Sequence, residues 1–177
     1  HVFTDGRDSE PQEALSYISK LERKLKEIKI GQIASISGRY YAMDRDKHWD
    51  RTEKAYLAIA SSLGPKETQA NSAVGRAYQK GLTDEFIVPM VIGKEGVKDG
   101  DAIIFFNVRG DRARQLTFAF TNPKFKEFKT QKYKNLFFVT FTWYGEYIEN
   151  TKFAFPPEEV KEPLAKVLSD QGFSQFH

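Results

Sequence analysis

The stretch Ala102-Ile103-Ile104-Phe105-Phe106-Asn107-Val108 is apolar at six of seven positions and runs directly into Arg109-Gly110-Asp111-Arg112. A strand with no in-and-out alternation is expected to be covered on both faces, and such strands belong to parallel sheets held between helical layers. The other segments repeat the same order. Strand-like residues 1–4 lead through the turn Asp5-Gly6-Arg7-Asp8 to Ser9, a suitable N-cap, and to Pro11, where a missing N–H costs least. Leu15, Ile18, Leu21, Leu25 and Ile28 then recur at helical spacing, closed by Gly31. A short β-branched run at 33–37 ends at Gly38, and charge-rich helices are predicted over 47–62 and 68–80. A strand over 86–92 carries Pro89, which points to an edge or an irregularity. Strands over 102–108 and 137–143 and a late helix over 158–168, interrupted by Pro163, complete the reading. Strands alternating with helices argue for an α/β, three-layer α/β/α architecture with a mostly parallel or mixed central sheet.

With 177 residues the chain has the length of one domain. Twenty-seven Lys+Arg against 24 Asp+Glu leave a net charge of +3, too mild to demand a polyanionic partner. No apolar run is long enough to cross a bilayer, and no signal-peptide pattern opens the chain. The absence of Cys excludes disulfides, thiolate nucleophiles and Cys-ligated zinc, and suits a reducing cytoplasm. An opening without Met and an ending on strand-like residues 173–177 are expected of an excerpt from a longer protein.

The chemistry gathers at three strand ends. Thr4 leads to Gly6-Arg7-Asp8, Ser37 to Gly38-Arg39 with Arg45 six residues on, and Val108 to Arg109-Gly110-Asp111-Arg112, which together hold five of the nine Arg. Ligands of open parallel sheets bind beyond the carboxyl ends of the strands, so neighbouring strands would bring these arginines to one anion. A guanidinium presents a flat fork that matches two carboxylate or phosphate oxygens at once, whereas the 18 Lys are point charges suited to a wet surface. Arg109 and Arg112 share a face at a helix start, where free N–H groups also attract anions. The competing reading pairs each arginine with a nearby acid, since Asp8, Asp44, Asp46 and Asp111 lie within two residues of one.

Other chemistry is thin. His1, His48 and His177 are scattered, so a histidine-rich metal site is not expected, and His48 reads as a surface helix residue. Ser37 has no His near it in sequence, and no nucleophile motif, Walker loop or dinucleotide fingerprint is present. Residues 122–138 interleave Lys124, Lys126, Lys129, Lys132 and Lys134 with Phe125, Phe128 and Tyr133, a pattern that single-stranded nucleic-acid binders also use. A solvated connection with its aromatics tucked onto the core is the favoured account, because the lysine excess is local.

The same residues resemble the bisphosphoglycerate-independent phosphoglycerate mutases. The match is carried by Asp5-Gly6-Arg7-Asp8 with Pro11 and Ala14; by Ser37 to Asp46 (SGRYYAMDRD) with Trp49, Arg51, Ala55 and Tyr56; by Asp84-Glu85-Phe86 with Pro89; by Phe105 to Leu116; and by Ala154-Phe155-Pro156-Pro157. The resemblance implies an isomerase of glycolysis and gluconeogenesis that interconverts 3-phosphoglycerate and 2-phosphoglycerate. Residues 1–177 would be its inserted substrate-binding, or transferase, domain. Two divalent metals, manganese among them, and the phosphoryl-carrying serine would sit in a phosphatase domain outside this chain, leaving no cofactor and no catalytic residue within it. Substrate binding would fall to Arg7, Asp8, Arg39, Arg45, Arg109 and Arg112. The expected partners are the phosphoglycerate and the phosphatase domain, with neither nucleic acid nor membrane, and the expected location is the cytoplasm. A family segment carrying Asp-Gly-Gly-Val-His, whose His helps bind substrate, and a later lysine are not in this chain; His48 stands where Arg is common and Gly110 where Pro or Ala is common. A small basic nucleic-acid-binding module and a non-catalytic anion sensor are the alternatives.

Overall fold

A computed structural model describes residues 1–146, 148, 150–157 and 160–176. Among these, six strands form two three-stranded sheets. In the first, β1 (Val2–Thr4) pairs in parallel with β2 (Ser35–Gly38), which pairs antiparallel with the short edge strand β3 (Met90–Val91). In the second, β4 (Ala102–Phe105), β5 (Phe137–Thr142) and β6 (Thr151–Phe155) run parallel in that order. The α/β class stands, but the strands are divided between two sheets. Pro89 sits just before β3, which shrinks the expected 86–92 strand to two edge residues preceded by a 3₁₀ turn at Asp84–Phe86.

Helices α1 (Ala14–Ile28) and α4 (Ala70–Gln79) pack together on the first sheet, and Ile18, Ile36, Ala73, Val74 and Ile87 close the core between them. The expected N-cap at Ser9 is displaced: Ser9 Oγ accepts the Gly6 N–H, and α1 begins instead where the buried Asp84 carboxylate accepts the N–H groups of Glu13 (2.8 Å) and Ala14 (2.9 Å). A carboxylate 70 residues away thus does the work usually given to a local side chain. A second core joins α3 (Trp49–Ala60) to α5 (Gly110–Thr121) through Tyr56, Ile59, Ala60, Leu116 and Ala119, with Phe3 of β1 and Phe105 of β4 packed against it.

The expectation that 102–108 is covered on both faces is corrected. Ile103 and Phe105 turn toward α5, while Ile104 and Phe106 are 72% and 74% exposed. A short helix α2 (Arg39–Ala42) follows β2 directly, and α6 (Leu164–Asp170) begins after Pro163, which serves as its N-cap; the expected helix start at Glu158 lies outside the described residues. Residues 173–176 form no strand, and His177 is outside the described residues.

Candidate functional site

The turn after β1 is built by Asp5, whose Oδ1 accepts the N–H groups of Arg7 and Asp8, both at 3.1 Å. Gly6 has φ +67°, and a Cβ there would meet Glu85 N at 2.7 Å, so both backbone conformation and space require glycine. Gly38 is pressed by the same segment, with its N–H donated to Ile87 O at 2.7 Å. Those two glycines let residues 84–87 lie across both strand ends and deliver Glu85 and Phe86 to the space beyond them.

That space is a cleft of about 320 Å³ into which Arg7, Arg39, Arg45, Arg51 and Arg112 converge. Arg39 is its buried floor, 4% exposed, with Nη1 donating at 2.7 Å to both Asp5 and Asp8. Arg7 reaches Glu85 at 3.5 Å, and Arg45 reaches Asp111 at 2.8 Å. Arg51 lies 3.9 Å above the Tyr40 ring in a cation–π stack and reaches Asp44 Oδ2 at 3.4 Å. Arg112 donates from Nη1 to Met43 O at 3.2 Å, while its buried Nε has no partner among the described residues. Burial and the like charges of Arg45, Arg39 and Arg7 press the Arg112 pKa below the usual arginine value. An arginine crowded by three others, with an N–H unspent, is chemically poised for an anion.

Of the five arginines expected in one cleft, four line it. Arg109 does not: its Nη2 turns to Asp111 at 3.1 Å, so Asp111 bridges Arg109 and Arg45. Burial pulls the Asp111 carboxyl upward, yet the hydrogen bonds from Arg109 and Arg45 hold it at about 2. Asp8 lies among the arginines, bound to Arg39. Sequence reasoning missed Glu85 and did not select Arg51. Arg51 stands one turn into α3, away from any strand end, and Glu85 reaches the cleft only through contact with the two glycines.

The remaining candidates are accounted for structurally. Ser37 is 2% exposed and donates to Gly38 O. Asp44, Asp46 and His48 bring one ligand atom each within 4.8 Å of one another, but both Asp44 oxygens already accept donors: Asp46 N–H, His48 N–H and Gln115 Nε2 on Oδ1, and Arg51 Nη1 with the His48 ring nitrogen on Oδ2. That donor set fits a hydrogen-bonded loop and does not fit a metal. Lys124, Lys126, Lys129, Lys132 and Lys134 are exposed, while Phe125, Phe128 and Tyr133 pack on the Tyr56–Leu116 core. A larger cavity of about 410 Å³ between β1 and β4 is lined by Phe3, Ile104, Phe105, Leu116 and Phe138 and offers no convergent cations. Among the described residues, no helix is long and apolar enough to cross a membrane.

Fold and cleft together define a class: an α/β domain with arginines gathered in a cleft beyond its strand ends. The chain belongs to the family described as BPG-independent PGAM N-terminus, which matches residues 1–146. Over 99% of its length it is 50% identical to a 2,3-bisphosphoglycerate-independent phosphoglycerate mutase of Symbiobacterium thermophilum and 46% identical to one of Staphylococcus epidermidis. It covers 35% of each of those relatives, so it is the N-terminal domain of such a protein and spans about a third of their length. A crystal structure of Leishmania mexicana phosphoglycerate mutase at low cobalt concentration superposes with a TM-score of 0.82 at 26% identity, over 95% of this chain and 33% of that one.

Proposed function

We propose that this chain is the substrate-binding domain of a phosphoglycerate mutase, holding 2- or 3-phosphoglycerate in the arginine cleft while a second domain carries the phosphoryl group. The observation that carries the reading is the convergence of five arginines from separate chain segments on one cleft, with the Arg112 Nε still unspent. Phosphate and carboxylate each offer paired oxygens to a guanidinium fork, so Arg7, Arg39, Arg45 and Arg112 would grip the two anionic ends of the glycerate. Arg109, at the rim, would join through Asp111, and Asp8 would hold Arg39 in register. The reaction is an isomerisation: the phosphoryl group leaves one glycerate oxygen for a serine outside this chain and returns to the other, and this domain's part is to bind and reorient the glycerate in between. Divalent metals, manganese among them, would polarise the phosphoryl group in that second domain. The setting is glycolysis and gluconeogenesis in the cytoplasm.

The test is Arg112→Lys in the full-length protein. Charge is kept but the fork is lost, so kcat/KM should fall about tenfold or more. Wild-type kinetics in both Arg112→Lys and Arg45→Lys would make these arginines structural. The 177-residue chain alone, supplied with manganese or magnesium, should show no mutase or phosphatase turnover.

A further inference from the structure

The cleft is assembled from two halves that meet at the exposed Arg45–Asp111 pair, at the Arg112–Met43 O bond and, deeper, at one buried amide. One half is the loop 43–48, which carries Arg45; the other is α5, which carries Arg112. Gln115 lies three residues beyond Arg112 on the same helix face and is 7% exposed. Its Nε2 donates to Asp44 Oδ1 at 2.9 Å and to Thr52 Oγ1 at 3.0 Å, and its Oε1 accepts the Lys47 N–H at 2.7 Å. Lys47 has φ +64°, a conformation that a lysine holds only when its surroundings impose it. Asp44 in turn accepts the Asp46 and His48 N–H groups, which closes the loop on itself. Gln115 touches no cleft-lining guanidinium, yet both ends of the Arg45 loop are fastened through it to the helix of Arg112.

We infer that Gln115 is a positioning residue that sets the spacing between Arg45 and Arg112 and so the affinity of the cleft for phosphoglycerate, which carries both a carboxylate and a phosphate. The site needs a donor toward the Asp44 carboxylate and an acceptor toward the Lys47 N–H from one side chain of this length, which an amide supplies. A carboxylate would oppose Asp44, and an apolar chain would take one donor from Asp44 and leave the Lys47 N–H without its acceptor. With the seam loosened, the loop keeps only the exposed Arg45–Asp111 pair and the Arg112–Met43 O bond to α5, contacts that rearrange easily, and the anion must order Arg45 on binding.

The inference rests on the phosphoglycerate reading, and the experiment separates the two. In the full-length protein, kcat and KM for 3-phosphoglycerate are measured for Gln115→Met, Thr52→Val, Arg45→Lys and the double variant Gln115→Met/Arg45→Lys, at a temperature where circular dichroism shows each folded. Gln115→Met should raise KM about tenfold, the effect of one charge-assisted hydrogen bond. Thr52→Val, which removes a bond from the same buried cluster but not from the loop, should leave KM within about twofold. In the double variant the losses should combine to less than their product, because Gln115 acts through Arg45. Unchanged kcat/KM in Gln115→Met, an equal KM rise in Thr52→Val, or losses that simply multiply would each overturn the inference. Where Gln115→Met does not fold, Gln115→Asn, which keeps the amide but is one methylene too short to span Asp44 and Lys47, is read by the same criteria. If Arg45→Lys and Arg112→Lys are also without effect, the cleft reading fails; if they weaken binding and Gln115→Met does not, Gln115 alone is excluded.

Discussion

The two sheets offer the site the same device, a strand followed closely by Gly and Arg, on different foundations. In the first, β2 is buried at all four positions between α1 and α4 on one side and α3 on the other, although three of its four residues are serine or glycine. In the second, α5 covers one face while Ile104, Phe106 and Phe137 stand exposed on the other. The arginines follow their foundations. Arg39 is buried with two carboxylates at 2.7 Å, whereas the Arg109 side chain is 55% exposed and held by an acid two residues away. Pairs of the first kind are costly to break, and pairs of the second contribute little and rearrange easily. The difference describes a cleft with a fixed floor and an adjustable rim.

The largest expected effect tests the two faces of the second sheet. Phe138→Ala, on the covered face, should cost about 3–5 kcal/mol in denaturant unfolding, and Ile104→Thr, on the exposed face, less than about 0.5 kcal/mol. Similar costs would show that the 177-residue chain does not keep that face open. Next come the two glycines. A Cβ at Gly38 would lie 2.3 Å from Glu85 O, a backbone atom that cannot swing aside, so Gly38→Ala should cost about 3 kcal/mol. At Gly110 the nearest atom is Tyr144 Cδ1 at 3.1 Å, and alanine favours the helix start, so Gly110→Ala should stay within about 1 kcal/mol. Equal losses would erase the distinction between fixed floor and adjustable rim.

A smaller effect is set by pH. Asp111 is held at about 2 against an ordinary 3.8, so its stabilisation is complete above the ordinary value and is lost as pH falls through about 4 toward 2. The side chain is 38% exposed, and with screening the contribution is about 1 kcal/mol or less. The stability gap between the unmodified chain and Asp111→Asn, followed by thermal unfolding, should narrow over that window; a gap that widens would refute the ion-pair assignment. The smallest effect belongs to the lysine-rich connection, where Lys129→Gln should change unfolding free energy by less than about 0.5 kcal/mol and leave substrate KM unaltered.

Much of this was legible in residue order. The periodicity of Leu15, Ile18 and Leu25 marks α1, the Gly-Arg dipeptides mark the ends of β1 and β2, and the preference for Arg over Lys at those ends points to the residues that line the cleft. What failed did so for identifiable reasons. β6 (TKFAF) is short and carries a lysine, so no pattern distinguished it from loop. Ser9 had the chemistry of an N-cap but lost the position to Asp84, a competitor invisible at a separation of 70 residues. Arg51 is one more charged residue on an amphipathic helix until the fold lays it over Tyr40.

Sequence alone therefore determined which residues could bind an anion and which segments could be helix or strand, because those properties reside in side-chain chemistry and in local backbone preference. Tertiary structure decided which apolar strand would be covered, which arginines share the cleft, and which acid answers which cation. Coverage and pairing depend on what other segments bring to a surface. The serine-containing SISG of β2 is buried on both sides because helices flank it, while the more apolar AIIF of β4 is half open because, among the described residues, nothing packs on its second face.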